Sequence, residues 1–407
     1  MIKFSKTKQY KTIQFHFHFI EELEKDAFAY RFLLTRLLRA HTDFLKSQKD
    51  FNKQLTSLYS LVIQDSFYLL ENKAITKLTF SMTDYHFVDD NQLFGQVIGF
   101  MKDVLFDRKL FLKDSFNEVK RLCQEYVLSI KDRKFDYAKE RFTKLMYPNQ
   151  EYAHPLTGTF EEISNIELDE LYDYYIRYFS QASLLLIVDG NLTANDEKLV
   201  KKVFEPYTKK ALPTFESLAL KCANQQFSKE LSDTHATFIF VGYSLPITMS
   251  DDLYYAAVIA NIVLGGFADS RLFLQFREQL GLAYDVESDF SSDRQSLVVF
   301  ANVENYDYMN AYEELINIVN TFKTAGITNQ ELTNAKEYLV NVLQSAYDVQ
   351  QRKAFEIFMF ECLGIDLSNS HTIGKVRSVT IEQVEDVLDL LEYSCSFILH
   401  GDEKYET

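Results

Sequence analysis

The sequence predicts an α+β protein made of two tandem copies of one unit, each a mainly antiparallel sheet covered by helices. Three observations carry that reading. Strand-like stretches follow one another through brief turns, with helices grouped before and after them. A long helical stretch recurs at a fixed distance along the chain. All five prolines, Pro148, Pro155, Pro206, Pro213 and Pro246, fall in the middle of the chain, leaving 1–147 and 247–407 free of them.

The first copy opens on the alternating run Ile13 to Phe19, with Phe15, Phe17 and Phe19 on one face of a strand and His16 and His18 on the other. Asp26 is the expected N-cap of a helix whose apolar positions Ala27, Tyr30, Leu33, Leu34, Leu37 and Leu38 follow the 3.6-residue period. Strands are expected near Leu58–Leu70 and Ala74–Met82, then a helix from Phe116 through Asp132 and on to Phe142. In that helix Lys120, Ser129, Asp132, Ala138, Glu140 and Phe142 recur 216 positions later as Lys336, Ser345, Asp348, Ala354, Glu356 and Phe358. At an offset of 213, Ile166, Leu168 and Leu171 match Val379, Ile381 and Val384. Both copies close on a strand running into glycine, Leu184 to Gly190 and Ser396 to Gly401.

The second copy is expected to hold a strand at Ala236–Gly242, a helix at Leu253–Leu264, and strands at Tyr284–Phe290 and Ser296–Val303. Between Pro206 and about Ser232 the apolar periodicity lapses into polar sequence, as in an interdomain linker. The expected division is therefore an N-terminal domain at 1–205, a linker at 206–231 and a C-terminal domain at 232–407.

Composition narrows the function classes. Lys and Arg number 43 against 59 Asp and Glu, so the formal net charge of −16 argues against nucleic acid and an anionic membrane surface as partners. With 47% apolar residues and only 12 Gly, the chain is that of an ordered globular protein. Cys123, Cys222, Cys362 and Cys395 are too far apart for a CxxC motif and too few for a disulfide framework. The four lysines between Met1 and Thr12 lead into a strand pattern rather than a signal-peptide core, so a cytoplasmic location is expected. Apolar runs such as Leu184 to Val188 and Phe238 to Val241 are far short of the ~20 residues of a membrane span.

The most specific motif runs from Gly265-Gly266 through Ser270 and Arg277 to Gly281 and Tyr284. It resembles the C-terminal-domain signature of the insulinase/pitrilysin-like peptidases. The stretches Tyr147-Pro148 through His154-Pro155 to Gly158, Glu162-Ile163, and Leu171 to Gly190 are similar to the corresponding N-terminal stretch of that family. The family is named for H-x-x-E-H on a helix, where two imidazoles on one face hold zinc and the Glu serves as general base. In this chain no H-x-x-E-H occurs. Aligning Ala40-His41-Thr42 with the family's usual ending puts Phe32, Thr35 and Arg36 where His, Glu and His would stand. The third ligand would come from the helix carrying Glu118 and Glu125, and a lone carboxylate there cannot hold zinc. No metal or other cofactor is expected in this chain.

The resemblance implies that Arg277 and Tyr284 reach toward a zinc site to hydrogen-bond substrate backbone and the carbonyl under attack, as two donors able to stabilise an oxyanion. A chain that keeps this pair without zinc ligands is expected to be a non-catalytic, substrate-binding subunit. Its partner would be a zinc-bearing paralogue in a heterodimer that cleaves peptides. The alternatives are a peptide-binding scaffold without proteolytic role and, further off, a zinc peptidase with unorthodox ligands. Read from pattern alone, His16 and His18 are the polar side of their strand, His154 is a structural loop residue, and His41, His86, His235, His371 and His400 show no partner pattern. Gly265-Gly266 reads as a tight turn, lacking the spacing of a phosphate loop. The acidic run Glu21 to Asp26 reads as a solvated helix start.

Overall fold

The computed structural model describes residues 1–177, 179–218, 220–346 and 348–401. Ala219 in the expected linker and residues 402–407 at the end of the expected C-terminal domain lie outside the described residues.

Among the described residues, ten strands form two five-stranded sheets of the same topology. The first sheet uses β1 (Ile2–Lys6), β2 (Thr12–Glu22), β3 (Val62–Leu70), β4 (Lys73–Thr83) and β5 (Ser183–Gly190) in the order β1-β5-β2-β4-β3. The second uses β6 (Gln226–Leu231), β7 (Ala236–Ser244), β8 (Ala283–Ser291), β9 (Ser296–Glu304) and β10 (Glu392–His400) in the order β6-β10-β7-β9-β8. Pairing is antiparallel except at one edge, where β1 runs parallel to β5 and β6 parallel to β10. These two edge strands are absent from the sequence reading, and β6 falls inside the expected linker 206–231. An edge strand bonds on one side only and buries little, and β6 is polar and largely exposed, so it lacks the alternation that announces a strand.

The helices of the first copy are α1 (Phe28–Leu38), α2 (Gln48–Ser57), α3 (Leu93–Leu105), α4 (Lys113–Ser129), α5 (Lys134–Met146), α6 (Phe160–Asn165), α7 (Leu168–Arg177) and α8 (Ala194–Phe204). Those of the second are α9 (Tyr254–Asn261), α10 (Tyr308–Ala325), α11 (Asn329–Ala346), α12 (Gln350–Leu363), α13 (Asn369–Ser378) and α14 (Ile381–Leu390). The repeat holds to the residue: α5 opens at Lys134 and α12 at Gln350, 216 apart, while α7 opens at Leu168 and α14 at Ile381, 213 apart. Asp26 is not a cap. It lies in a short 3₁₀ turn, Lys25–Ala27, that feeds directly into α1, whose N-cap Ala27 offers no side-chain acceptor.

The helix expected from Phe116 to Phe142 is two helices, broken where the Asp132 and Arg133 amides turn back to the Ser129 carbonyl. The break redirects the chain. Packing gathers the protein into one unit of Met1–Leu128, His154–Glu216 and Tyr347–Leu367 and another of Ser129–Ala153, Ser217–Ala346 and Ser368–Thr407. The contiguous stretches 1–205 and 232–407 follow the repeat along the chain, whereas packing assigns α12 to the unit of the first sheet and α5 to that of the second.

In the first unit the inner face of β2 buries Phe15, Phe17 and Phe19 among Phe94, Phe204 and Phe179, with ring centroids 5.9, 5.2 and 4.1 Å apart respectively. The outer face of the same sheet receives α12. Phe358 stacks on His18 at 4.5 Å, Lys3 pairs with Glu361 at 2.7 Å, and Gln350 Nε2 donates to the Thr12 and Asp189 carbonyls. In the second unit Phe142 of α5 stacks on Phe240 of β7 at 5.4 Å. A Cβ on Gly242 would lie 2.7 Å from the Phe142 ring, so glycine is what admits the helix there. Ala138 and Ala354, matched in the repeat, are both fully buried beneath these helices.

Because Phe142 and Phe358 each close the outer face of a sheet, Phe358→Ala and Phe142→Ala are each expected to lower stability by about 3–5 kcal/mol. Urea unfolding followed by circular dichroism measures both.

Candidate functional site

Helix α1 carries the positions matched to the zinc motif. Phe32 is buried, and the Thr35 hydroxyl donates back to the carbonyls of Arg31 (3.1 Å) and Phe32 (3.4 Å). The Arg36 guanidinium lies over the Phe32 ring, 3.6 Å from its centroid, donates to the Phe32 carbonyl and reaches Asp65 of β3 at 3.7 Å. Asp65 also pairs with Arg39. Tyr126 of α4 meets the Phe32 ring at 5.6 Å, and burial pushes the nearby Cys123 thiol up to about 12. Burial lowers the Arg36 pKa against the opposing pull of Cys123 and Asp65.

This set does not fit zinc. A benzyl ring and a guanidinium have no lone pair to give, and the one hydroxyl is engaged by its own helix. Glu118 and Glu125 do not supply a ligand to it either. Both clamp Arg121 on the exposed face of α4, at 2.7 and 2.5 Å. Among the described residues, no three His, Cys, Asp or Glu side chains are grouped as a metal site.

The Gly265 to Tyr284 motif sits in the second unit. Ile262–Gly266 and Leu272–Gln279 are π-helical turns, a wide winding often found at functional positions. Gly265 is not in a tight turn: a Cβ there would lie 2.6 Å from the Ser288 backbone nitrogen, so the residue is set by close approach of the π turn to β8. Arg271 is the anchor that sequence reasoning missed. Its guanidinium forks onto Glu331 at 2.7 and 2.9 Å and donates to the Gly326 carbonyl. Although burial opposes it, this pairing holds the Glu331 carboxyl down to about 2.

From this base Arg277 projects as an exposed cation, its guanidinium 4.8 Å from the Phe273 ring, with no carboxylate partner among the described residues. Tyr284, at the start of β8, is 66% exposed and donates its phenol proton to Glu304 at 3.1 Å. That hydrogen bond raises the Tyr284 pKa. Beside it lies a small cavity of about 140 Å³ lined by Leu282, Glu304, Tyr306 and Asp307. Both motif residues are thus exposed, and no contact joins their side chains among the described residues.

Residues 165–339 match the family described as the peptidase M16 inactive domain. A probable inactive metalloprotease, YmfF, from Bacillus subtilis is 22% identical over 98% of this chain and 95% of its own length. The uncharacterized zinc protease YmxG of the same organism is 28% identical over 69% of this chain and 70% of its own. Among solved structures, a conserved protein from Enterococcus faecalis superposes with a TM-score of 0.88 at 20% identity, covering 100% of this chain and 97% of the other. By these matches the chain is similar to the insulinase-like M16 peptidases. It lacks the H-x-x-E-H motif and keeps the Arg277 and Tyr284 motif.

Other features of the chain depart from their sequence reading. His16 and His18 are not a polar outer side but fully buried, because α12 covers their face. Burial, then the charge of Lys77, drives the His18 pKa down to about 3. His154 is tied to Glu162 at 3.0 Å, within the capping box of α6. The acidic run Glu21 to Asp26 lines a cavity of about 690 Å³ with Tyr30, Arg31 and Tyr174, and Arg31 holds Glu21 at 2.8 Å. No described helix is long and apolar enough to cross a membrane.

A histidine held neutral by burial binds a proton more readily once unfolded. The stability it contributes is full above its ordinary value of 6.5 and is lost as the pH falls toward about 3. In thermal melts, the difference in Tm between the native chain and His18→Gln is expected to shrink steadily below pH 6.5.

Proposed function

We propose that this chain is the zinc-less subunit of a two-chain peptidase, pairing with a zinc-bearing M16 paralogue and lending Arg277 and Tyr284 to the binding of its peptide substrate. The observation that carries the reading is the contrast between the two motif positions. Where the family holds zinc, Phe32 is buried beneath half-buried Arg36, with the exposed Tyr126 ring beside them, and none of the three offers a zinc ligand. The Arg277 guanidinium, by contrast, stands exposed and without a carboxylate partner among the described residues. An unpaired guanidinium and a phenol are the donors that a peptide carbonyl, or the oxyanion formed from it, would take. β3 and β8 are the outermost strands of their sheets, and a sheet edge is a place where an extended peptide adds a strand.

The second reading, a peptide-binding protein without a part in cleavage, draws support from Tyr284, whose hydroxyl proton is already engaged by Glu304. The two differ in what a partner does.

Mixing this chain with a zinc-bearing paralogue is expected to raise peptide hydrolysis above that of the paralogue alone; equal rates would sink the first reading. Within the active pair, Arg277→Ala should lower kcat/KM by about 10- to 100-fold, the range for loss of one oxyanion-directed donor or less, while size-exclusion chromatography shows the pair intact. Elemental analysis of the purified chain should find far less than one zinc per molecule. Stoichiometric zinc would overturn both readings.

A further inference from the structure

We propose that the cleft formed by β3, β4 and the first turn of α12 is a binding site for a small organic anion, a carboxylate or a phosphate ester. The cleft has a volume of about 410 Å³, and Arg39, Gln64, Asp65, Lys77, Thr79 and Gln351 line it. That volume lies in the range of about 300–1,000 Å³ usual for small-molecule sites.

The strand register builds the cleft. Gln64 of β3 stands opposite Thr79 of β4, and Ser66 stands opposite Lys77, so four hydrogen-bonding side chains share the outer face of the sheet as two cross-strand pairs. Gln351 adds an amide from α12. Two cations and one carboxylate line the space, and the carboxylate, Asp65, is already neutralised by Arg39 and by Arg36 at 3.7 Å. Lys77 is left over. It is half-buried, and among the described residues no carboxylate or hydrogen-bond acceptor reaches its ammonium. Burial lowers its pKa, as expected for a desolvated charge without a counter-ion. An anion in the cleft would remove that penalty.

The buried neighbour of the cleft adds a donor. His16 stands opposite Thr79 on the adjacent strand, with Nδ1 3.2 Å from Thr79 Oγ1 and Nε2 buried without a partner. Burial keeps the ring neutral, so a single nitrogen carries the proton. A proton on Nε2 would leave a buried N–H unsatisfied, the costlier of the two arrangements. The proton therefore belongs on Nδ1, which donates to Thr79 Oγ1. The Thr79 hydroxyl is then free to donate into the cleft. Lys77, Thr79, Ser66, Gln64 and Gln351 form a set in which every member can present a donor, in a protein whose formal net charge is −16. The inference stands apart from pairing with a second subunit.

The test is isothermal titration of the full chain, in a low-chloride buffer, with sodium citrate and separately with inorganic phosphate. One saturable site is expected for at least one of them, and which of the two binds more tightly separates a carboxylate from a phosphate source. Lys77→Met should weaken that binding at least about tenfold, as for loss of a charge-assisted bond, and Thr79→Val about threefold. Because the Lys77 ammonium is desolvated, Lys77→Met should melt no lower than the native chain; if it fails to fold, Thr79→Val carries the comparison. No saturable binding of either anion, or binding that the foldable variants leave unchanged, overturns the proposal.

Discussion

The structure depends on one packing constraint: the central strands of each sheet are buried on both faces, and a helix from the other copy of the repeat covers them on the outer one. Phe358 of α12 stacks on His18 in the first sheet, and Phe142 of α5 stacks on Phe240 in the second. Much else is a consequence. The helices α4 and α11 must stop at Ser129 and Ala346 so that the chain can change direction and deliver the next helix to a different sheet. The matched alanines, Ala138 and Ala354, keep the helices close to their strands. Gln350 ties the first turn of α12 to the backbone of β2 and β5, where no strand partner is available for its side-chain groups.

At the positions aligned with the zinc motif, the chain has replaced lone-pair donors by a self-contained arrangement. Arg36 takes its partners from within the fold: the face of Phe32, the Phe32 carbonyl and Asp65. A half-buried cation gains from such a set, since burial disfavours its charge. The arrangement also pairs Asp65 with two guanidinium groups and so shapes the electrostatics of the neighbouring cleft. The C-terminal motif is organised in the opposite sense. There Arg271, Glu331 and the close approach of Gly265 to β8 hold the scaffold, and Arg277 and Tyr284 are left at the surface.

Most of the fold was legible because it rests on strong local patterns. Strand patterns located β2, β4, β7 and β9 to within three residues at each end, and the recurrence of Lys120, Ala138 and Phe142 at Lys336, Ala354 and Phe358 disclosed the repeat. What escaped the sequence was what local pattern does not encode. A parallel edge strand such as β6 is half solvated and needs no apolar face. A break between two amphipathic helices leaves the apolar period intact, so α4 and α5 read as one. His16 and His18 looked solvent-facing because a polar residue on a strand carries no mark of a distant helix that will cover it. The site was read in the same way: residue types at Phe32, Thr35 and Arg36 show in the sequence that the H-x-x-E-H positions carry no such ligand set, whereas the Arg271 anchor and the engagement of Tyr284 by Glu304 required coordinates.

The placement of α12 bears on how the chain is made. During synthesis the first sheet has all five of its strands once Gly190 has emerged, yet the helix that seals its outer face begins only at Gln350. For the interval between them, a surface holding His16, His18, Leu185 and Ile187 faces water or whatever else binds exposed strands. Ordering by N-terminal domain first, the usual rule for multidomain chains, is therefore closed to this protein. Its first unit reaches completion only when most of the second has been translated, and long-range closure of this kind makes for slow folding.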